Sequence, residues 1–272
     1  MPERAEHKRI ERKINNMAYE TMIVEKKENR LQITLNRPPV NALNAQVIIE
    51  LGQILDEYGD DVDVRSIIIT GAGEKAFCAG ADLKAGFGDD PDAFVKRGQD
   101  TFSRLENCGK PVIAAINGIT LGGGCELALS CTFRFIAENA IIGLPESSLG
   151  IIPGYGGTQR LARVIGKSKA IEMMMFGKHI KAEEAVGIGL ADRLCAAGTA
   201  LAEAEAFADQ VAARAPIATA AIIDAANRGL ETDLQSGLDI ERANFLKALA
   251  SEDAKEGISA FLEKRKADFK GK

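Results

Sequence analysis

At 272 residues, 46% of them hydrophobic and 27% charged, the chain can bury a large core as one domain or as one domain with an appendage. A net charge of −5 lacks the basic surplus of a nucleic-acid binder, and no apolar run reaches the roughly 18 residues that cross a bilayer. Five cysteines without a CxxC pair and only two histidines, His7 and His179, argue for reduced thiols and against a structural zinc site.

Residues 1–18 mix acids and bases too closely for a secretory signal or a transit peptide. They read as a solvated extension, and the expected location is cytoplasmic. Next come two strands, 20–27 and 31–37, with Glu28, Asn29 and Arg30 as the turn. Ile48, Leu51, Leu55 and Tyr58 then recur at helical spacing over 44–58, with Asn44 as the cap. The run RSIIIT at 65–70 suits a buried strand.

The order then repeats. Residues 91–107 read as a helix, 111–117 as a buried strand, and 122–131 as a helix after a glycine cluster. Short strands follow at 132–138 and 140–146. Strand–strand–helix alternation predicts an α/β fold with site loops at strand ends. Beyond 156 the pattern turns helical, with a short helix at 181–189 and a short strand at 192–196. Four helices are expected at 200–214, 217–230, 233–250 and 252–264, where Ala and charged residues dominate. The organisation is thus an extension over 1–18, a catalytic core over 19–199 and a helical module over 200–272.

Two motifs fail on inspection. Gly166-Lys167-Ser168 resembles the end of a phosphate loop, but the required upstream glycine is Leu161. Gly187-Ile188-Gly189 lacks the third glycine of a dinucleotide fingerprint and follows a helix. His179 lies between helical patterns with no serine elbow nearby, which makes it a surface residue rather than a catalytic base.

Three segments carry the chemistry. Ala76 to Lys84 packs small residues at 78–81, where backbone can lie against a ligand. Asn117 to Leu127 runs strand, three glycines, helix; Gly122 to Gly124 let an anionic oxygen approach free N–H groups, with Glu126 in the first turn. Leu144 to Arg160 sets Glu146 before an apolar, glycine- and proline-rich loop, which raises a carboxyl pKa into the range of acid–base work. Donor-rich loops beside two carboxylates suit proton transfer next to a carbonyl, and no metal or separate cofactor is required.

The segments AFCAGADLK, KPVIAAINGITLGGGCELAL, PESSLGIIPGYGGTQRLARVIGKSKA and EGISAFLEKRKADF together resemble the enoyl-CoA hydratase/isomerase, or crotonase, family over about residues 20–270. The resemblance implies an α/β spiral of ββα units whose C-terminal helices build a homotrimer or a dimer of trimers. It implies an acyl-CoA thioester substrate, in which coenzyme A is part of the substrate and not a cofactor. The N–H groups of Ala81 and Gly123 would form an oxyanion hole, and Glu126 and Glu146 the catalytic pair. Ala79, Asp82, Leu83 and Lys84 on the first loop would contact substrate. So would Gly122 on the second and Pro145 and Leu149 on the third. Phe245 and Phe261 would line the pocket and Lys264 would meet a nucleotide phosphate.

Having both glutamates favours addition of water to a 2-enoyl thioester, as in β-oxidation of fatty acids, over isomerisation or another reaction of the family. An RNA-binding relative is a further alternative, disfavoured by the acidic charge balance. Residues 84–100 are individual to this chain and are expected to set acyl chain length.

Overall fold

The computed structural model of the chain describes residues 19–86 and 88–272, so the 1–18 extension lies outside the described residues. Strands β1 (Met22–Lys27) and β2 (Arg30–Leu35) pair antiparallel as expected. The turn is shorter than the sequence suggests: Arg30 already pairs with Lys27, leaving Glu28 and Asn29, and Glu28 takes a left-handed φ of 52°. Helix α1 (Ala45–Tyr58) starts where Asn44 accepts a hydrogen bond from the Val47 N–H at 3.1 Å. Its apolar stripe of Val47, Ile48, Leu51, Ile54 and Leu55 is buried.

From here the chain climbs in repeats. Each repeat gives a longer strand to one sheet, a three-residue strand to a second, then a helix. The first is β3 (Ser66–Gly71), β4 (Ala76–Cys78) and α2 (Pro91–Glu106). The second is β5 (Val112–Ile116), β6 (Ile119–Leu121) and α3 (Gly123–Leu129). The third is β7 (Phe133–Ala137), β8 (Ile141–Gly143), a 3-10 turn (Glu146–Leu149) and α4 (Gly157–Ile165). Helix α5 (Lys167–Met175), β9 (His179–Lys181), α6 (Ala182–Gly187) and β10 (Arg193–Cys195) complete the core.

The larger sheet has the order β1-β2-β3-β5-β7-β10, parallel from β2 onward. Strands β3 and β5 are buried throughout, which is why their sequences are continuous apolar runs and do not alternate. The smaller sheet has the order β4-β6-β8-β9, and β4, β6 and β8 are parallel. Of that sheet only β8 was expected from sequence, within 140–146, and the sheet decides where the site forms. Cys78 is in register with Thr120, and Leu121 with Gly143. The loops leaving β4, β6 and β8 therefore emerge side by side from one edge. His179 sits on β9 and is exposed.

Helix α3 begins inside the glycine cluster, not after it, and lies close on β4. A Cβ added at Gly124 would overlap the Cys78 carbonyl oxygen. Gly124→Ala is expected to lower stability by about 1–3 kcal/mol through overpacking, read as a fall in thermal midpoint.

The C-terminal helices follow as expected: α7 (Ala200–Ala212), α8 (Pro216–Gly229), α9 (Leu234–Leu249) and α10 (Glu252–Glu263). Helix α7 covers the larger sheet, with the Phe207 ring 4.9 Å from Phe133 and 5.4 Å from Phe135. Helices α8 and α9 pack on each other, and α9 has no buried residue. Leu230, Leu234 and Phe261 are more than three-quarters exposed. Among the described residues, no helix is long and apolar enough to cross a membrane.

Candidate active site

The edge where β4, β6 and β8 end opens into a cavity of about 830 Å³. The loop after β4 forms one wall. It is pinned to the segment before α1: Ala79 N–H donates to the Val40 carbonyl at 3.0 Å, Leu43 N–H to Gly80 at 2.8 Å, and Asp82 N–H to Leu43 at 2.7 Å. That ladder skips Ala81. The loop after β6 forms the facing wall, where Gly122 takes φ 53° and ψ −127° before the first residue of α3. Among the described residues, neither the Ala81 nor the Gly123 N–H is engaged by another group. Both residues line the cavity, so two donors are open to an oxygen placed there.

Glu126 reaches the cavity from α3 and is 2% exposed. Its Oε1 accepts from the N–H of Tyr155 and of Gly157, both at 2.7 Å. Burial pushes its pKa up to about 7; the Gly157 N–H pulls the other way and the Glu146 charge adds to the rise. Glu146 opens the 3-10 turn after β8 and lines the same cavity. It directly follows no strand, since β8 ends at Gly143. Its pKa is also raised by burial, and its Oε2 is buried with no hydrogen-bond partner. Its Oε1 would sit 3.2 Å from a Cβ on Gly122, so the second glycine loop runs directly against this carboxylate.

Of the residues expected from sequence, Ala79, Ala81, Leu83, Gly122, Gly123, Glu126, Pro145, Glu146 and Leu149 all line this cavity. Asp82 and Lys84 do not. Asp82 turns back to Arg37, 2.5 Å away, and accepts from the Lys84 N–H at 3.1 Å, so it braces the loop. Lys84 is exposed. Phe245, Phe261 and Lys264 are exposed on α9, α10 and the residue after α10, outside the cavity of their own chain.

Sequence reasoning missed the two N–H donors of Tyr155 and Gly157. Backbone donors have no side-chain signature; the paired Gly156-Gly157 was the available signal. The Tyr155 ring was missed as well. It lines the cavity and packs edge-on to Phe102 at 5.6 Å, against Gly98, where any Cβ would strike it. Pro91, Phe94, Val95 and Gln99 of α2 form the far wall with Ile151 to Gly154. Among the described residues there is no cluster of three or more groups suited to hold a metal ion.

Fold and pocket together define a class: an α/β spiral protein with two buried carboxylates facing free main-chain donors, equipped for acid–base chemistry beside a carbonyl. A profile of the enoyl-CoA hydratase/isomerase family matches residues 25–272. The chain is 42% identical to a crotonyl-CoA hydratase from Syntrophomonas wolfei, over 93% of this chain and 99% of that one. It is 40% identical to a short-chain-enoyl-CoA hydratase from Clostridium acetobutylicum, over 93% and 98%. The crystal structure of an enoyl-CoA hydratase from Bacillus anthracis superposes with a TM-score of 0.90 at 40% identity, covering 93% of this chain and all of that one. The chain belongs to the enoyl-CoA hydratase/isomerase family, and its fold is the crotonase spiral expected from the sequence.

Proposed function

We propose that this chain adds water reversibly to a trans-2-enoyl-CoA, giving the 3-hydroxyacyl-CoA. The observation that carries the reading is the convergence of Glu126 and Glu146 on one cavity walled by the Ala81 and Gly123 backbone. The thioester oxygen accepts from those two N–H groups. With Oε1 of Glu126 occupied by Tyr155 and Gly157, its other oxygen is left to hold water. Glu126 takes a proton as the water oxygen bonds C3. The π electrons pass toward the thioester oxygen, and Glu146 delivers a proton to C2. Glu126 ends protonated and Glu146 ionised, so the pair re-equilibrates before the next turnover.

Losing one donor of such a hole typically costs about 3–4 kcal/mol of transition-state stabilisation. Two relatives are named as hydratases of crotonyl-CoA and of short-chain enoyl-CoA, which supports a short acyl chain here. The wall of Pro91, Phe94, Val95 and Gln99 would meet the tail of that chain.

The test is incubation with crotonyl-CoA and separation of products. A 3-hydroxybutyryl product supports the reading; only a shifted double bond, or no turnover across a series of 2-enoyl chain lengths, refutes it. The direction of the rate with pH follows from the roles. Glu126 must be ionised, so kcat/KM is expected to fall as pH drops below about 7. Glu146 must be protonated, so the rate also falls as pH rises through its elevated pKa. The two limbs belong to the pair. A flat profile from about pH 5 to 9 would contradict both assignments.

We also propose that the chain works as a homotrimer or a dimer of trimers, without nucleic acid or membrane. The apolar faces of α8 to α10 support this, since they are left open in one chain. Phe245, Phe261 and Lys264 would then meet the substrate only across a subunit boundary. Light scattering should return the mass of three or six chains; a monomer would remove these three residues from the site.

A further inference from the structure

We propose that Arg160 is a positioning residue: its guanidinium clamps the turn from Tyr155 to Gly157 so that two N–H groups aim at Oε1 of Glu126. The inference rests on the hydratase reading of that glutamate. Arg160 does not line the cavity and cannot touch substrate. Its side chain is 12% exposed and bridges two elements. Nη1 donates to the Tyr155 carbonyl at 3.0 Å. Nε and Nη2 both donate to Oε2 of Glu106, at 3.0 and 2.8 Å, and Nη2 also reaches the Ser103 hydroxyl at 3.2 Å. Glu106 and Ser103 lie at the end of α2, so the anchor is a rigid helix.

The turn is held from both carbonyls. The Tyr155 carbonyl accepts from the guanidinium, and the Gly156 carbonyl accepts from the Arg160 N–H at 2.9 Å. The two peptide units that carry the donors are held through their own carbonyls, Gly154 by Gln99 Nε2 at 2.8 Å and Gly156 by the Arg160 N–H, and the guanidinium fixes the peptide between them, so both N–H groups face Glu126. Gly156 makes this possible. It sits at φ 108°, and a Cβ there would overlap Nη1 of Arg160. The guanidinium therefore rests directly on the turn's backbone. A planar fork can hold the Tyr155 carbonyl and Glu106 together; an ammonium holds them as a point charge only.

Without the clamp the turn relaxes and Oε1 of Glu126 loses its fixed partners. Misplacing a reacting group by about 1 Å can cost on the order of 10²-fold in rate. The charge of Arg160 also favours ionised Glu126. The other titratable groups facing Glu126 are Glu146 from the 3-10 turn, Tyr155 from the loop and Cys125 beside it in α3.

The experiment compares Arg160→Gln, Arg160→Lys and Arg163→Gln in the full chain. Arg163 lies on the same helix but pairs at the surface with Glu231. Arg160→Gln is expected to lower kcat about tenfold or more with KM nearly constant, and to move the acidic limb of kcat/KM to higher pH. Arg160→Lys keeps the charge but not the fork, so kcat should stay low and the limb should still rise, by less than in Arg160→Gln; Arg163→Gln should change neither.

Folded Arg160→Gln protein with unaltered kcat and limb would overturn the proposal. So would a rate loss that merely tracks the fraction folded, or full recovery of rate in Arg160→Lys. Titrating the Glu126 carboxyl by carbon-13 NMR reads the same displacement without turnover. Unmodified chain that hydrates no member of a series of 2-enoyl-CoA chain lengths refutes the hydratase reading, while an unmoved Glu126 titration in Arg160→Gln refutes only the clamp.

Discussion

Changing Glu146 to Gln is expected to cut hydration of crotonyl-CoA by about 10² to 10⁴-fold while leaving the chain folded and no less stable. The amide keeps the shape of the side chain but cannot deliver a proton to C2. The same reasoning holds for Glu126→Gln, where the amide oxygen can still accept from Tyr155 and Gly157. Both variants should therefore separate chemistry from architecture. The stability change has a definite sign. A carboxyl whose folded pKa is raised binds its proton more tightly when folded, so the chain loses stability as pH rises from the unfolded value to the folded one. For Glu126 that window runs from 4.5 to about 7. The full penalty above it is on the order of 3 kcal/mol. Glu126→Gln escapes the penalty, so its thermal midpoint should exceed that of the unmodified chain at pH 8 and match it near pH 4. A Glu146→Gln or Glu126→Gln chain that hydrates within a few-fold of the unmodified rate would remove that glutamate from the mechanism. An unchanged stability difference across the window would remove the buried-charge argument for Glu126.

Most elements readable from sequence were those with room for a pattern, although the three-residue strands β8 and β10 were also expected, within 140–146 and 192–196. Strands β1, β2, β3, β5 and β7 and helices α1, α2 and α7 to α10 each run five residues or more, long enough for an alternation, a continuous apolar run or a helical spacing to show. Strands β4, β6 and β9 have three residues each. Three residues cannot show a period, and β4 and β6 adjoin the glycines that made both segments look like loops. The smaller sheet was thus not legible as a sheet, although the residues it brings to one cavity stood out in the sequence. The glycines at 122–124 and the acids at 126 and 146 were legible as motifs because close backbone approach and proton transfer each demand particular residue types. What brings them together was not legible, because it is the parallel register of β4, β6 and β8. Phe245, Phe261 and Lys264 came from the resemblance alone, and a single chain leaves them exposed.

Gly122→Ala is expected to lower kcat by about 10² to 10³-fold, the scale of losing one hole donor, because a single methyl acts on three things at once. Gly122 holds φ 53° with ψ −127°, a conformation that side-chain-bearing residues rarely adopt, so alanine adds strain of about 1–3 kcal/mol. The cheapest relief is rotation of the backbone at the start of α3. That rotation turns the Gly123 N–H away from the cavity. The methyl would also stand 3.2 Å from Oε1 of Glu146, closer than a comfortable contact, and displace that carboxylate. Gly80, across the loop at φ 100°, already lies so close that a Cβ there would meet the Leu121 carbonyl oxygen at 2.9 Å, so the packed pair has no slack in which to seat the methyl. Thioester binding should weaken much less than kcat, since most contacts along the cavity wall are untouched. Steady-state kinetics with crotonyl-CoA, paired with a thermal melt, distinguish this from simple unfolding. A folded Gly122→Ala chain with near-normal kcat would mean that the Gly123 donor and the Glu146 carboxylate do not act at this point.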